Sequence, residues 1–431
     1  LLKIGPAHSP SYWICDGIIK GDGIRDISDT LHQEIHWEID SSQVGRVLEK
    51  LMEDPKALFF LVEDNSPLLK ERPYRWICAT SKNLLIQEDM KAILPRASSL
   101  FVALEKSDNP QGFPSGFLKH CSNLGVLILS HCAFGFVSPP FLWCLRLRFL
   151  GLDHCTYDNT SEGENNNTNW TWLQNLWVLD LRYTEWDDIL SEEKMDNMNN
   201  LRELNIEGFM CWQLATRLHG KLPYLRSLRI IKPMHKANTS IDSSSSLFVD
   251  KTTELEILDL SGNRDMINLS ISSSMARSLQ TLILDGCDGL ENVVVHDGLP
   301  SSLRSSEQRH TSDADTSAVK TSKISLRGCT QLENLFVSGL PNLEELDVSG
   351  SAIKVLDFET MVINVLGLKR LILLGCEHLR AIKWATLDSV EQLELLCVDC
   401  GHTTMESTWT LPSIRNLSVC SCMVLWQMRG S

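Results

Sequence analysis

The feature that most constrains this chain is a spacing of apolar residues that returns from about residue 97 to the end. Leu124, Leu127 and Leu129 are followed by Cys132, and Leu147, Leu150 and Leu152 by Cys155. The same L-x-x-L-x-L order recurs at Leu176/Leu179/Leu181, Leu201/Leu204/Ile206 and Leu225/Leu228/Ile230. It continues at Leu255/Leu258/Leu260/Asn263, Leu279/Leu282/Leu284/Cys287, Ile324/Leu326/Cys329, Leu343/Leu346/Val348 and Leu368/Leu371/Leu373/Cys376. Val390/Leu393/Leu395 and Ile414/Leu417/Val419/Cys422 close the series, and Ala97/Leu100/Val102 is a weaker first member.

Most starts lie about 22 to 30 residues apart, which is the leucine-rich repeat period. In L-x-L the two Leu point inward from a short strand and the x residues point out. One such strand cannot bury its own Leu, so stacked neighbours must make the core between them. The expected fold is therefore α/β: a leucine-rich repeat solenoid, a horseshoe with a parallel sheet on its concave side. After each strand the chain turns and leaves backbone groups inside that need partners. Asn, or a Cys thiol as a weak donor, can supply one. Cys132, Cys155, Asn263, Cys287, Cys329, Cys376 and Cys422 hold that place and are expected to form a structural ladder. Three repeats extend it as Gly286-Cys287, Gly328-Cys329 and Gly375-Cys376, each with Leu three residues on. Glycine there suits a turn that a Cβ would hinder.

The repeat domain is read as 93–431, with loop insertions near 158–169, 235–250 and 297–322, where Asn, Ser and Thr accumulate. Residues 1–92 lack the repeat. Asp29 to Ile39 and Ser42 to Asp54 show helical spacing of apolar residues, and Pro55 stops the second. Ala57 to Val62 and Tyr74 to Ala79 read as strands of a short hairpin. A small, mainly helical region fits this order.

Tyr12-Trp13-Ile14-Cys15-Asp16-Gly17-Ile18-Ile19 resembles the winged-helix segment of plant nucleotide-binding leucine-rich repeat (NB-ARC-LRR) disease resistance proteins. Val44 to Phe60 is similar to the helix and strand that follow it there, and the Gly-Cys-x-x-Leu repeats are similar to that family's. The resemblance implies a C-terminal fragment: a winged-helix remnant and linker over 1–92, then the repeats. It implies a cytoplasmic protein-interaction module of an immune receptor in plant defence. Such a module recognises a pathogen effector or a modified host protein and restrains the receptor's own nucleotide-binding domain. ADP or ATP would belong to that missing domain. This chain has no G-x-x-x-x-G-K-[ST] loop to cradle phosphates, and its only Gly-Lys, Gly220-Lys221, lacks the rest, so no cofactor is expected here. Two alternatives stay open: a substrate-recruiting adaptor of a ubiquitin ligase, and an extracellular receptor ectodomain.

Other chemistry is thin. A net charge of −15 argues against a nucleic-acid binder, whose affinity comes largely from neutralised phosphates. No apolar run approaches the roughly 18 residues of a membrane span. No nucleophile or metalloprotease motif occurs, so an enzyme is not expected. Cys397, Cys400, His402, Cys420 and Cys422 have zinc-like spacing. Aligning the repeats sets Cys397 beside Ser421 and Cys420 beside Leu396, so no metal site is expected. Sequons at Asn159, Asn166, Asn169, Asn238, Asn268 and Asn416 would matter only in a secreted chain. Trp170, Trp172, Trp177 and Trp186 gather around one repeat, as core or as a contact patch.

The outward positions name the candidate partner surface. Asp153, Asp180, Arg182, Glu207 and Arg229 give its first half charge of both signs, with Arg182 and Glu207 a candidate pair. Ile372, Leu374 and Leu396 give its far end an apolar cluster. The reading predicts that reversing Arg182 or Arg229 alters binding and leaves folding almost unchanged.

Overall fold

In a computed structural model, residues 11–19, 59–62, 75–81, 94–106, 112–113, 116–158, 170–208, 222–232, 254–271, 278–295, 320–363, 365, 367–384, 392–398 and 418–421 are described. Two compact units divide the chain, Leu1–Phe209 and Met210–Ser431.

In the first unit the strands Phe59–Val62, Trp76–Ser81, Ser99–Leu104, Val126–Ser130, Phe149–Asp153, Val178–Arg182 and Glu203–Glu207 pair in that order, every pair parallel. The register aligns like with like: Leu127 pairs with Leu150, and Leu150 with Leu179. All three are fully buried, and so are Leu124 and Leu129. Each such Leu contributes roughly 1.5 to 3 kcal/mol by leaving water. The repeats are thus leucine-rich repeat turns, stacked into a parallel β-solenoid.

The second unit repeats the arrangement. Ser227–Ile231, Ile257–Asp259, Thr281–Ile283, Lys323–Ser325, Glu345–Asp347, Arg370–Leu373, Leu395–Val398 and Ser418–Ser421 again pair in order and in parallel. Its return side is also stranded: Asn268–Ile271, Asn292–Val295, Asn334–Ser338 and Val362–Ile363 make a second parallel sheet. The Asn292 side chain donates to Asn268 at 2.7 Å and Asn334 to Asn292 at 2.8 Å, so an exposed amide row runs along that sheet. In the first unit the return side is mostly 3-10 turns, among them Phe117–His120, Thr171–Asn175 and Asp187–Leu190.

Three expectations change. The two strands read as a hairpin are parallel, and both continue the repeat sheet. The 13 residues between Val62 and Trp76 suit a parallel crossover, which needs a dozen or more. The expected boundary at residues 92 and 93 therefore falls between two paired strands, and the first unit runs past it. The helix candidates at 29–39 and 42–54 lie outside the described residues; among the described residues helices are few and short. In the second unit the Val390/Leu393/Leu395 frame is wrong: Leu371 pairs with Leu396, so the inward residues are Leu393, Leu396 and Val398.

Candidate interaction surface on the sheet

Several strands run into a turn that holds a residue with a left-handed backbone. In the first unit it is His131, His154 or Tyr183, with φ of 56°, 50° and 48°, and then Gly208 at 103°. In the second it is glycine, as at Gly262, Gly286, Gly328, Gly350 and Gly375. A side chain there costs roughly 1 to 2 kcal/mol. The three rings offset this by stacking, with centroids 4.8 Å apart for His131–His154 and 4.6 Å for His154–Tyr183. Burial, and then the charge His154 would carry, hold the His131 imidazole below its ordinary range; Asp153 opposes this and Lys106 adds to it.

Behind each turn stands the ladder. Cys155 donates to the Leu129 carbonyl at 3.5 Å, Cys287 to Leu260 at 3.2 Å, Cys329 to Leu284 at 3.1 Å and Cys376 to Val348 at 3.2 Å. Each acceptor belongs to the preceding repeat. Cys132 instead meets its own turn at Ser130, at 3.5 Å. Asn263 donates to Ile230 at 2.7 Å and Leu260 at 2.6 Å, bridging two turns with one amide. Burial pushes the Cys329 thiol up to about 12 and raises Cys287 further, so both stay protonated donors. Cys422 lies outside the described residues.

The charged residues expected to face a partner are largely committed within the sheet. Asp180 occupies an outward position but is buried, 1% exposed, and receives Arg182 Nε at 3.1 Å and Asn205 Nδ2 at 2.5 Å. Arg182 also lies 3.9 Å from Glu207, whose carboxylate accepts the Tyr183 hydroxyl at 3.0 Å. Arg229 pairs with buried Asp259 at 3.1 Å. Asp153 accepts Ser130 Oγ at 3.1 Å and lies 2.7 Å from His154 Nδ1. Further along, burial would raise the Glu345 carboxyl, but Lys323 at 2.9 Å and Arg370 at 2.7 Å hold it below its usual range.

The apolar end is corrected likewise. Ile372 and Leu374 are half-buried on the outer side, while Leu396 is fully buried in the core. Cys397 takes the outward position instead, level with Cys420 and not with Ser421. Among the tryptophans, Trp172 and Trp186 are core, and Trp177 lies on the outward face between Arg148 and Arg202 at 4.8 and 4.2 Å.

The segment that resembles a winged helix lies on this outward face, a placement the repeat spacing alone does not give. Residues 11–15 form a helical turn lying across the first unit's sheet. Cys15 packs with Val126, Ile128, Phe149 and Val178, edged by Tyr12, Phe101 and Trp177. Asp16 follows, its carboxylate fully buried. It receives Trp76 Nε1 at 2.9 Å, Arg75 Nη2 at 3.0 Å, Ser98 Oγ at 2.5 Å and the Ser99 hydroxyl. Gly17, at φ 74°, ends the turn: Gly17 N–H bonds Ile14 and Ile18 N–H bonds Trp13, the Schellman closure of a helix. The signal was available, because the residues just before each L-x-L read Val126, Phe149 and Val178 across three strands.

Among the described residues no cluster of His, Cys, Asp or Glu could hold a metal, and no helix is long and apolar enough to cross a membrane. No family model matches the chain, and no curated protein does. Solved structures do resemble it. An internalin from Listeria monocytogenes is 16% identical over 76% of this chain and 88% of its own, with a TM-score of 0.38. A leucine-rich repeat protein of Leptospira interrogans is 12% identical over 75% and 84%, TM-score 0.37. The ectodomain of the Arabidopsis receptor kinase HAESA is 15% identical over 76% and 58%, TM-score 0.35. Likeness this distant adds nothing to what the stacked strands already define.

Proposed function

We propose that this chain is a protein-interaction module, the repeat region of an intracellular plant immune receptor. It would bind an effector or a modified host protein on the sheet's outward face and restrain the receptor's nucleotide-binding domain. The observation that carries this is that the face already seats a polypeptide, and that this segment, 11–19, is the one resembling the family's winged helix. A reducing cytoplasm suits the ladder, whose thiols work as buried donors. Outward residues of successive strands stand about 4.8 Å apart in a fixed frame, which suits a protein partner better than a small molecule. The test is a photo-crosslinking residue in place of Glu207, in the full chain expressed in leaf cells, with adducts identified by mass spectrometry. The reading expects an effector, a guarded host protein or a nucleotide-binding domain. A ligase scaffold as sole adduct, no protein adduct, or a glycan on Asn268 would overturn it.

A further inference from the structure

Among the described residues, the 11–19 turn meets the rest of the fold at its seat and at Glu203, which accepts the Ser11 hydroxyl. A single helical turn cannot sustain itself in water, because nucleating a helix costs more than one turn returns. Its order therefore comes from the sheet: an apolar platform under Cys15, a ring of donors around Asp16, and a notch at Gly125. A Cβ on Gly125 would come 2.8 Å from the Cys15 carbonyl oxygen, so the notch is fitted to backbone. The platform residues Val126, Ile128, Phe149 and Val178 are buried together with Cys15, on the side of the sheet away from the inward Leu. Asp16 is specific as an anion site, since Arg75 supplies its charge and Trp76, Ser98 and Ser99 add neutral donors. Arg75 also grips the Asp16 carbonyl at 2.7 Å, reading backbone and side chain together.

We propose that this seat is a peptide-recognition site for a helical turn ending in Asp-Gly, occupied in cis by residues 11–19 and taken in trans by a protein partner that presents the same ending. The proposal deepens, and rests on, the reading of this chain as an interaction module. The required ligand chemistry follows from the seat. An aromatic residue goes where Tyr12 meets Phe101, at 5.5 Å between centroids. Three residues on comes a side chain the size of Cys15, which packs among Val126, Ile128, Phe149 and Val178. Next comes the carboxylate, and then glycine, whose left-handed backbone lets the chain leave.

The test needs no partner. In the wild-type full chain, amides of 13–19 should exchange hydrogen at least about ten-fold faster than those of 126–130 and 149–153, as a locally opening segment does. Exchange at the same rate as those strands would make the segment a fixed part of the fold and overturn the proposal. A labelled synthetic peptide spanning Ser9 to Gly21 should bind the full-length Asp16→Lys chain, whose own turn is expelled by Arg75. It should bind the wild-type chain about 100-fold more weakly, since the tethered turn competes at high effective concentration. The same peptide with Asp16→Ala should not bind either chain. Binding that ignores this substitution, or equal binding to both chains, would sink the proposal. A protein adduct at Glu207 with a peptide that fails leaves the function standing and removes this site. Peptide exchange without any protein adduct does the reverse.

Discussion

At the scale of single residues, the outward charges prove more structural than the spacing implied. Position in L-x-L predicted which side chains leave the core, but not which are covered once out. Asp180 is covered by Arg182 and Asn205, so Arg182→Glu would set a second carboxylate against one without solvent. The reversal therefore weakens folding, contrary to what the spacing alone predicts. Breaking a buried pair typically costs about 3 to 5 kcal/mol, and a fall of that order should appear in the urea midpoint. Arg182→Met, which brings no charge of its own, should cost less. His131 gives a prediction with a definite sign. Its folded pKa is depressed, so the unfolded chain takes up the proton more readily. The stability it contributes is complete above about pH 6.5 and is lost as pH falls through the folded value. Thermal melts at pH 7.5 and 5.5 should show the loss, and His131→Asn, which tolerates the left-handed backbone, should reduce it.

At the scale of the strand and its turn, the ladder separates two kinds of donor. Asn263 serves two buried carbonyls with one amide, whereas the Cys329 thiol is a weak donor to a single carbonyl, that of Leu284. Asn263→Ala should therefore cost about 2 to 3 kcal/mol, and Cys329→Ala about 1 kcal/mol, read from denaturant unfolding. Equal losses would mean that the thiols act as bonds and not mainly as packing. Legibility also divides at this scale. The strands and the ladder places could be read because Leu and Cys recur with the period of the turn. The repeat at 393–398 could not, because Leu393-Glu-Leu395-Leu396-Cys397-Val398 offers two L-x-[LV] frames and only the neighbouring Leu371 chooses between them. For Phe59–Val62 and Trp76–Ser81 the local signal is their separation, since 13 residues are far more than a tight hairpin needs and enough for a parallel crossover, and pairing with Ser99–Leu104 completes the assignment.

For the whole chain, the sequence displayed each repeat but not what lies over them. The seat depends on contacts across 59 to 192 residues, such as Asp16 with Arg75 and Ser11 with Glu203, and no periodicity records those. One global property can be checked directly. Cys121, Cys144, Cys287 and Cys329 are buried with thiols raised by burial, so none presents a thiolate at neutral pH. Brief alkylation of the native chain should leave all four unmodified, and the same reagent in denaturant should modify all four. The long reach of Ser11 has a consequence in time. The turn that carries Asp16 is made first, and Glu203 follows only 192 residues later. At roughly 5 to 20 residues per second, the newborn turn waits about 10 to 40 s before its seat is complete. During synthesis it is thus an apolar, acidic-ended peptide on open offer, and whichever chaperone or neighbour meets it then competes with a seat that does not yet exist.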